Sequence, residues 1–106
     1  MGLKVEQQES SQVVVVPKGK IDVCNSQEFK EELLAVSDQG YSEIVIDFKN
    51  VERIDSSGLG KLLAIYKKLR GSNGELRIIN VKNDYIKKMF KMINLDQLIK
   101  IEGLEK

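Results

Sequence analysis

Apolar residues in this chain fall alternately into short strand-like runs and helical stripes. A weakly patterned, polar stretch over residues 3–8 reads as a first, edge strand. Gln12 to Pro17 follows, with Val13-Val14-Val15-Val16 at its centre. β-Branched residues favour strands, and the lack of alternation predicts burial on both faces. Pro17, the only proline, is expected at the end of that strand or on an edge. Lys18-Gly19-Lys20-Ile21-Asp22 reads as a turn toward a first helix, which Asn25 and Glu28 open as a capping box. Phe29, Leu33 and Val36 share one face of this helix, which runs to about Gln39 and stops at Gly40.

Ile44-Val45-Ile46-Asp47-Phe48 is an apolar run between turn signals, as a buried central strand requires. Lys49 to Arg53 reads as a loop leading into Ile54. From Ile54 to Gly60 the chain turns into a second helix, with Leu59, Leu62, Leu63, Tyr66 and Leu69 on one stripe to about Arg70. Gly71-Ser72-Asn73-Gly74 breaks that helix. Glu75 to Val81 is another strand. Asn83 or Asp84 caps a third helix that places Ile86, Met89, Phe90 and Ile93 on one face, and Asn94-Leu95-Asp96 closes it. Leu98 to Ile101 is a last short strand, and Glu102 to Lys106 a polar tail.

The order β-β-α-β-α-β-α-β predicts an α/β fold: one domain over residues 1–106, a mixed β-sheet and helices packed on it. Strands separated by helices pair in parallel through right-handed crossovers, whereas the first two, with no helix between them, are expected to be antiparallel. Ligand sites in open α/β sheets lie beyond the carboxyl ends of the strands. Asp22 and the Asp55–Gly60 turn both follow strands, so both are expected on that rim.

Composition narrows the chemistry. With 42% hydrophobic and 31% charged residues, the chain has the make-up of a soluble globular protein. No stretch of about 18 apolar residues marks a membrane span, and the N-terminus lacks a signal-peptide core. The single cysteine, Cys24, suits a reducing cytoplasm and is expected to be partly buried rather than reactive. There is no histidine, which removes His-based acid–base catalysis, Ser-His-Asp triads and most zinc sites. Three Tyr, three Phe and no Trp provide no stacking platform for nucleic acid. Net charge is +1, but residues 1–54 hold six basic and ten acidic side chains, and residues 55–106 eleven and six. The basic excess falls mainly on helix faces that read as solvated.

The turn Ile54-Asp55-Ser56-Ser57-Gly58-Leu59-Gly60 concentrates the candidate chemistry. It lacks the Gly-x-Ser-x-Gly of a nucleophile elbow, and no histidine exists to activate Ser56. Gly60-Lys61 is followed by Leu62, so no phosphate-binding loop forms, and the dinucleotide fingerprint lacks its third glycine. No catalytic residue, cofactor or metal is expected. At a helix N-terminus, free backbone N–H groups and the helix dipole tolerate added negative charge. Ser56 therefore suits a residue that is acted upon: phosphorylation would leave the domain folded but confront a docked partner with new charge beside Asp55 and Asp22. A bare helix cap remains open as the alternative reading, and the physics does not separate Ser56 from Ser57.

These residues resemble the signature of the anti-sigma factor antagonist family, the bacterial STAS domains: Asp-Ser, then Ser, Thr or Ala, then Gly-Leu-Gly. Gly19-Lys20-Ile21-Asp22 followed by Asn25-Ser26 resembles the family's Gly-x-Leu/Ile-Asp stretch. Val45-Ile46-Asp47-Phe48 with Val51 and Ile54 resembles its central strand and loop. Gly74-Glu75-Leu76 and Phe90 to Leu95 followed by Ile99 resemble its later elements, so the likeness runs from about Val5 to Ile101. The resemblance implies a non-enzymatic protein that binds an anti-sigma factor, itself a serine kinase, and so frees a sigma factor. It places phosphorylation on Ser56 and its reversal with a PP2C-type phosphatase. Asp22 and Asp55 match acidic interface positions, and Ser57, Gly58, Leu59 and Gly60 lie in the docking turn. No direct nucleic-acid contact is implied. Other family members work without phosphorylation, as scaffold subunits in signalling or beside lipid-transport complexes.

Overall fold

Burial on both faces places the valine run at the centre of the molecule: Val13 to Val16 are all buried. In the computed structural model, which describes the backbone of residues 3–8 and 11–104 and those side chains except residues 6–8, this run is strand β2, Gln12–Val16. The first two and last two residues, and Glu9-Ser10, lie outside the described residues; so does the end of the expected polar tail. Strand β1 (Lys4–Gln8) is the expected edge strand and pairs with β2 in antiparallel fashion. β4 (Glu43–Asp47), β6 (Glu75–Ile79) and β7 (Lys100–Ile101) pair in parallel, giving one mixed sheet in the order β1-β2-β4-β6-β7.

The helices α1 (Ser26–Ser37), α2 (Ser56–Gly71) and α3 (Asp84–Met92) link the parallel strands. Phe29, Leu33 and Val36 of α1 and Leu59, Leu62, Ile65 and Leu69 of α2 pack with Val13, Val15, Ile44, Ile46, Leu76 and Ile78 in one core. Leu63 and Tyr66, expected on the buried stripe of α2, are only partly buried, and Ile65 takes the central place. The other sheet face is crossed by polar side chains: Gln12 Nε2 donates to Glu43 Oε1 (2.6 Å), and Arg77 pairs with Glu43 (3.8 Å) and Glu102 (4.0 Å).

Two strands appear where a turn and a loop were expected. Lys18–Ile21 is β3 and Asn50–Ile54 is β5, and they pair in parallel as a separate two-stranded sheet. Neither shows strand periodicity. A register shift between Gly19 and Lys20 interrupts the ladder, and Gly19 sits at φ 83°, a conformation that glycine adopts without strain. Only Ile21, Val51 and Ile54 of these strands are buried. Near the C-terminus, α3 ends earlier than its apolar stripe suggests. Ile93 is its C-cap and is 46% exposed, while Phe90 packs edge-on against Phe48 with ring centroids 5.8 Å apart. Leu98 lies outside the last strand and is also exposed.

Gly58 joins the small sheet to α2. A Cβ there would stand 2.7 Å from Ile54 Cγ1 and 2.9 Å from both Ile21 Cγ2 and the Ile21 carbonyl oxygen. Gly60, two residues on, has nothing within 4 Å of such an atom. Gly58→Ala is therefore expected to destabilise the fold by about 1–3 kcal/mol through overpacking. Gly60→Ala is expected to stabilise it by roughly 0.5–1 kcal/mol through helix propensity. Urea midpoints measured at constant m-value check the pair; indistinguishable midpoints would refute the packing argument.

Candidate functional site

The parallel pairing of β3 with β5 sets Ile21 opposite Ile54, so the residues that follow each strand emerge side by side. The Asp55 N–H donates to the Ile21 carbonyl (3.1 Å), extending the ladder by one bond. Asp22 and Asp55 thus share one rim, as the sequence suggests, and both are half-buried. Each carboxylate has a local task. Asp22 Oδ1 accepts from the Cys24 N–H (3.0 Å), and the Asp22 carbonyl accepts from Asn25 (3.1 Å) and Ser26 (2.8 Å). Asp55 is the N-cap of α2, in extended conformation, with Oδ1 accepting from the Gly58 N–H (3.1 Å).

Asp55 rather than Ser56 is therefore the cap, and this leaves the Ser56 hydroxyl without a capping role. Ser56 is the first helical residue and exposed; Ser57 is half-buried. In the first turn the Gly58 N–H donates to Asp55 Oδ1 and the Leu59 N–H to the Asp55 carbonyl (2.9 Å), while those of Ser56 and Ser57 have no intrahelical acceptor, a consequence of helix geometry. Exposure thus separates two serines that chain position alone leaves equivalent. Gly58 and Leu59 are buried and serve the core, while Gly60 returns to the surface one turn after Ser56.

The capping box expected at α1 takes another form. Asn25 occupies the N-cap position but makes no side-chain cap bond. Its Oδ1 accepts from the Asp22 N–H (2.9 Å) and its Nδ2 donates to the Lys20 carbonyl (2.7 Å). The side chain therefore cross-braces the turn that carries Asp22. Asn83, in contrast, caps α3 as expected, accepting from the Ile86 N–H (3.0 Å), and its Nδ2 also donates to the Glu52 carbonyl of β5 (3.1 Å). Cys24 is exposed, not partly buried, because it stands in the braced turn with no element packed over it.

Two hollows flank the rim. One, a cleft of about 460 Å3 between α1 and α2, brings Ser56, Ser57 and Gly60 together with Val23, Lys30 and Lys61. Val23 is 73% exposed, and its apolar surface beside Ser56 was not singled out by sequence reasoning. The position directly after Asp22 was the available signal. The second hollow, about 250 Å3, is lined by Asp22 and Asp55 together with Lys20, Arg53 and Tyr85. No helix among the described residues is long and apolar enough to cross a membrane.

The STAS domain family model matches residues 3–104. The anti-sigma-B factor antagonist of Staphylococcus aureus strain NCTC 8325 is 33% identical over 88 residues, covering 82% of this chain and 81% of that protein. A solved anti-sigma factor antagonist from Mycobacterium paratuberculosis superposes with a TM-score of 0.83 at 24% identity, over 96% of this chain and 85% of the other. The Bacillus cell-fate determinant SpoIIAA shares the fold in two states. Its unphosphorylated form gives a TM-score of 0.78 at 21% identity, over 94% of this chain and 87% of that one. Its phosphorylated form gives 0.70 at 20%, over 94% and 90%. The mixed sheet with helices packed on it, the Asp-Ser-Ser-Gly-Leu-Gly turn at its rim and the match over residues 3–104 together show that this chain belongs to the STAS family of anti-sigma factor antagonists.

Proposed function

We propose that this protein is a non-enzymatic anti-sigma factor antagonist working by partner switching in the cytoplasm. In the unphosphorylated state it binds an anti-sigma factor that is also a serine kinase, and so frees a sigma factor. That kinase phosphorylates Ser56 and ends the interaction; a PP2C-type phosphatase restores it. The observation that carries this reading is the division of labour at the turn: Asp55 caps the helix, and Ser56, beside it, is exposed with an uncommitted hydroxyl. The relatives named as anti-sigma factor antagonists support the binding role.

Electrostatics supplies the switch. A phosphoserine brings about −1.5 to −2 charges and three strong acceptor oxygens. The first turn of α2 accommodates them, because its unbonded N–H groups and dipole favour an anion. A partner seated on Ser56, Ser57 and Gly60, with Asp22 and Asp55 alongside, meets new charge and bulk at its contact surface. Gly58 and Leu59 contribute from beneath, by holding the turn against Ile21 and Ile54 and in the core. The change in charge thus acts on the complex far more than on the fold.

Incubation with a cognate anti-sigma factor kinase and ATP is expected to place phosphate on Ser56 by mass spectrometry. Ser57→Ala should still accept it and Ser56→Ala should not. Full labelling of Ser56→Ala would sink the site assignment, and failure to bind any anti-sigma factor would favour a scaffold subunit of a signalling or lipid-transport complex. Ser56→Asp is expected to weaken partner binding by roughly tenfold or more, about 1.4 kcal/mol or above, with a thermal melt within a few degrees of wild type. A third comparison separates the two roles of Asp55. Asp55→Ala should cost about 1 kcal/mol of stability through the lost cap, whereas Asp55→Asn keeps the cap to within a few tenths. Weaker partner binding by Asp55→Asn at unchanged stability would locate the role of the charge in the interface.

A further inference from the structure

Helix α3 carries more apolar surface than its core contact uses. Ile86 and Phe90 are buried and hold the helix to the body of the protein. Tyr85 and Met92, two full turns apart and so on one line of the helix, are 61% and 81% exposed. At the corner that follows, two more apolar residues face solvent: Ile93, the C-cap of α3, and Leu98, the C-cap of the short 3-10 helix Leu95–Gln97. Four of the six large apolar side chains exposed among the described residues thus fall between Tyr85 and Leu98. Scattered exposed apolar residues are ordinary, but a group on one helix and its corner marks a contact surface.

Lysines accompany these residues. Residues 82–101 carry five, Lys82, Lys87, Lys88, Lys91 and Lys100, against two carboxylates, Asp84 and Asp96, a formal charge of +3. None of the five pairs with a carboxylate among the described residues, and Glu102, next along the chain, is already engaged with Arg77 (4.0 Å). Lys88 stands on the helix surface three residues from Tyr85 and four from Met92, and Lys91 is exposed beside Met92. Apolar tips flanked by lysines are the pattern of a helix that lies in a membrane interface. The tips enter the acyl boundary, while the aliphatic stems of the lysines let their ammonium groups stay among the headgroups. Tyr85 suits the same depth, with an apolar ring and a polar end.

We propose that the α3 corner is a peripheral membrane-contact surface that selects anionic lipid. Charge favours that occupant over a second copy of the chain: a twofold interface through α3 would set Lys88 and Lys91 against their own counterparts, like charge facing like. Size favours it over a protein partner. A stable protein interface takes roughly 20–30 residues from each side, more than a nine-residue helix and its corner supply. A lipid surface needs only the tips and the charge. The proposal is separate from the partner of the Ser56 turn and stands without it.

Flotation of the full-length protein with phosphatidylglycerol–phosphatidylcholine vesicles, at low and high salt, tests this. Binding is expected at low salt, should fall steeply at high salt, and should be absent with phosphatidylcholine alone. Lys88→Gln combined with Lys91→Gln should weaken it roughly tenfold or more, and Met92→Ser roughly fivefold. Urea midpoints should stay at the wild-type value, because all three side chains are exposed. The chain has no tryptophan, so Met92→Trp reports from the corner alone. Its emission should shift to the blue when anionic vesicles are added, whereas that of Ala35→Trp, at an exposed position of α1, should not. Failure to bind anionic vesicles at low salt overturns the proposal, as does an unshifted Met92→Trp spectrum on bound protein. Self-association that Met92→Ser abolishes, without vesicle binding, would give the corner to a second copy and overturn it too. Binding of polyglutamate without vesicle binding would give it to an acidic protein, with the same consequence.

Discussion

Everything at the working end depends on a contact among three residues: Ile21, Ile54 and Gly58. Parallel pairing sets the two isoleucines opposite one another, and the absence of a side chain at Gly58 lets the first turn of α2 settle onto them. The contact determines where the two strands end and how α2 leaves the sheet. Asp22 and Asp55 are thereby brought to one rim from positions more than thirty residues apart in the chain. Without that close approach the helix would stand off the small sheet, and Ser56 would lose its fixed relation to either carboxylate.

The local hydrogen bonds distribute roles among residues of similar chemistry. Asp55 binds the Gly58 N–H and so relieves Ser56 of any structural duty. Asn25 braces the loop around Asp22 instead of capping its own helix. Both arrangements make the backbone rigid beneath an exposed surface, and rigidity suits a docking face because little ordering entropy is lost on association. It also explains how a change of charge at Ser56 can be confined to the complex: the proposed phosphate would replace no hydrogen bond on which the fold relies.

The division between what was legible and what was not follows from burial. Val13 to Val16 and Ile44 to Phe48 are legible as apolar runs because they are buried along their length, and the stripe of α1 as a helical period because Phe29, Leu33 and Val36 all face the core; the stripe of α2 is less exact, since Leu63 and Tyr66 are only partly buried. β3 and β5 show neither signal. Their ladder is interrupted, three of their nine residues face the core, and the rest are polar or glycine. A two-stranded sheet of that kind has no period-two signal to detect, although it holds the site together. Cys24 and Ile93 show the reverse error: apolar character suggests burial, but neither has an element packed over it.

By itself the sequence determined the alternation of strands and helices, the main core, the lack of histidine chemistry and the identity of the turn at Ile54–Gly60. These are properties of neighbouring residues and of composition, and they survive without knowledge of any long-range contact. Tertiary structure decided which side chains of that turn face solvent, that Asp55 caps while Ser56 is exposed, and that Lys20 meets Arg53 beside Tyr85. Those facts arise from pairing between segments distant in the chain, where register and a single close approach settle the outcome, and no local pattern encodes either.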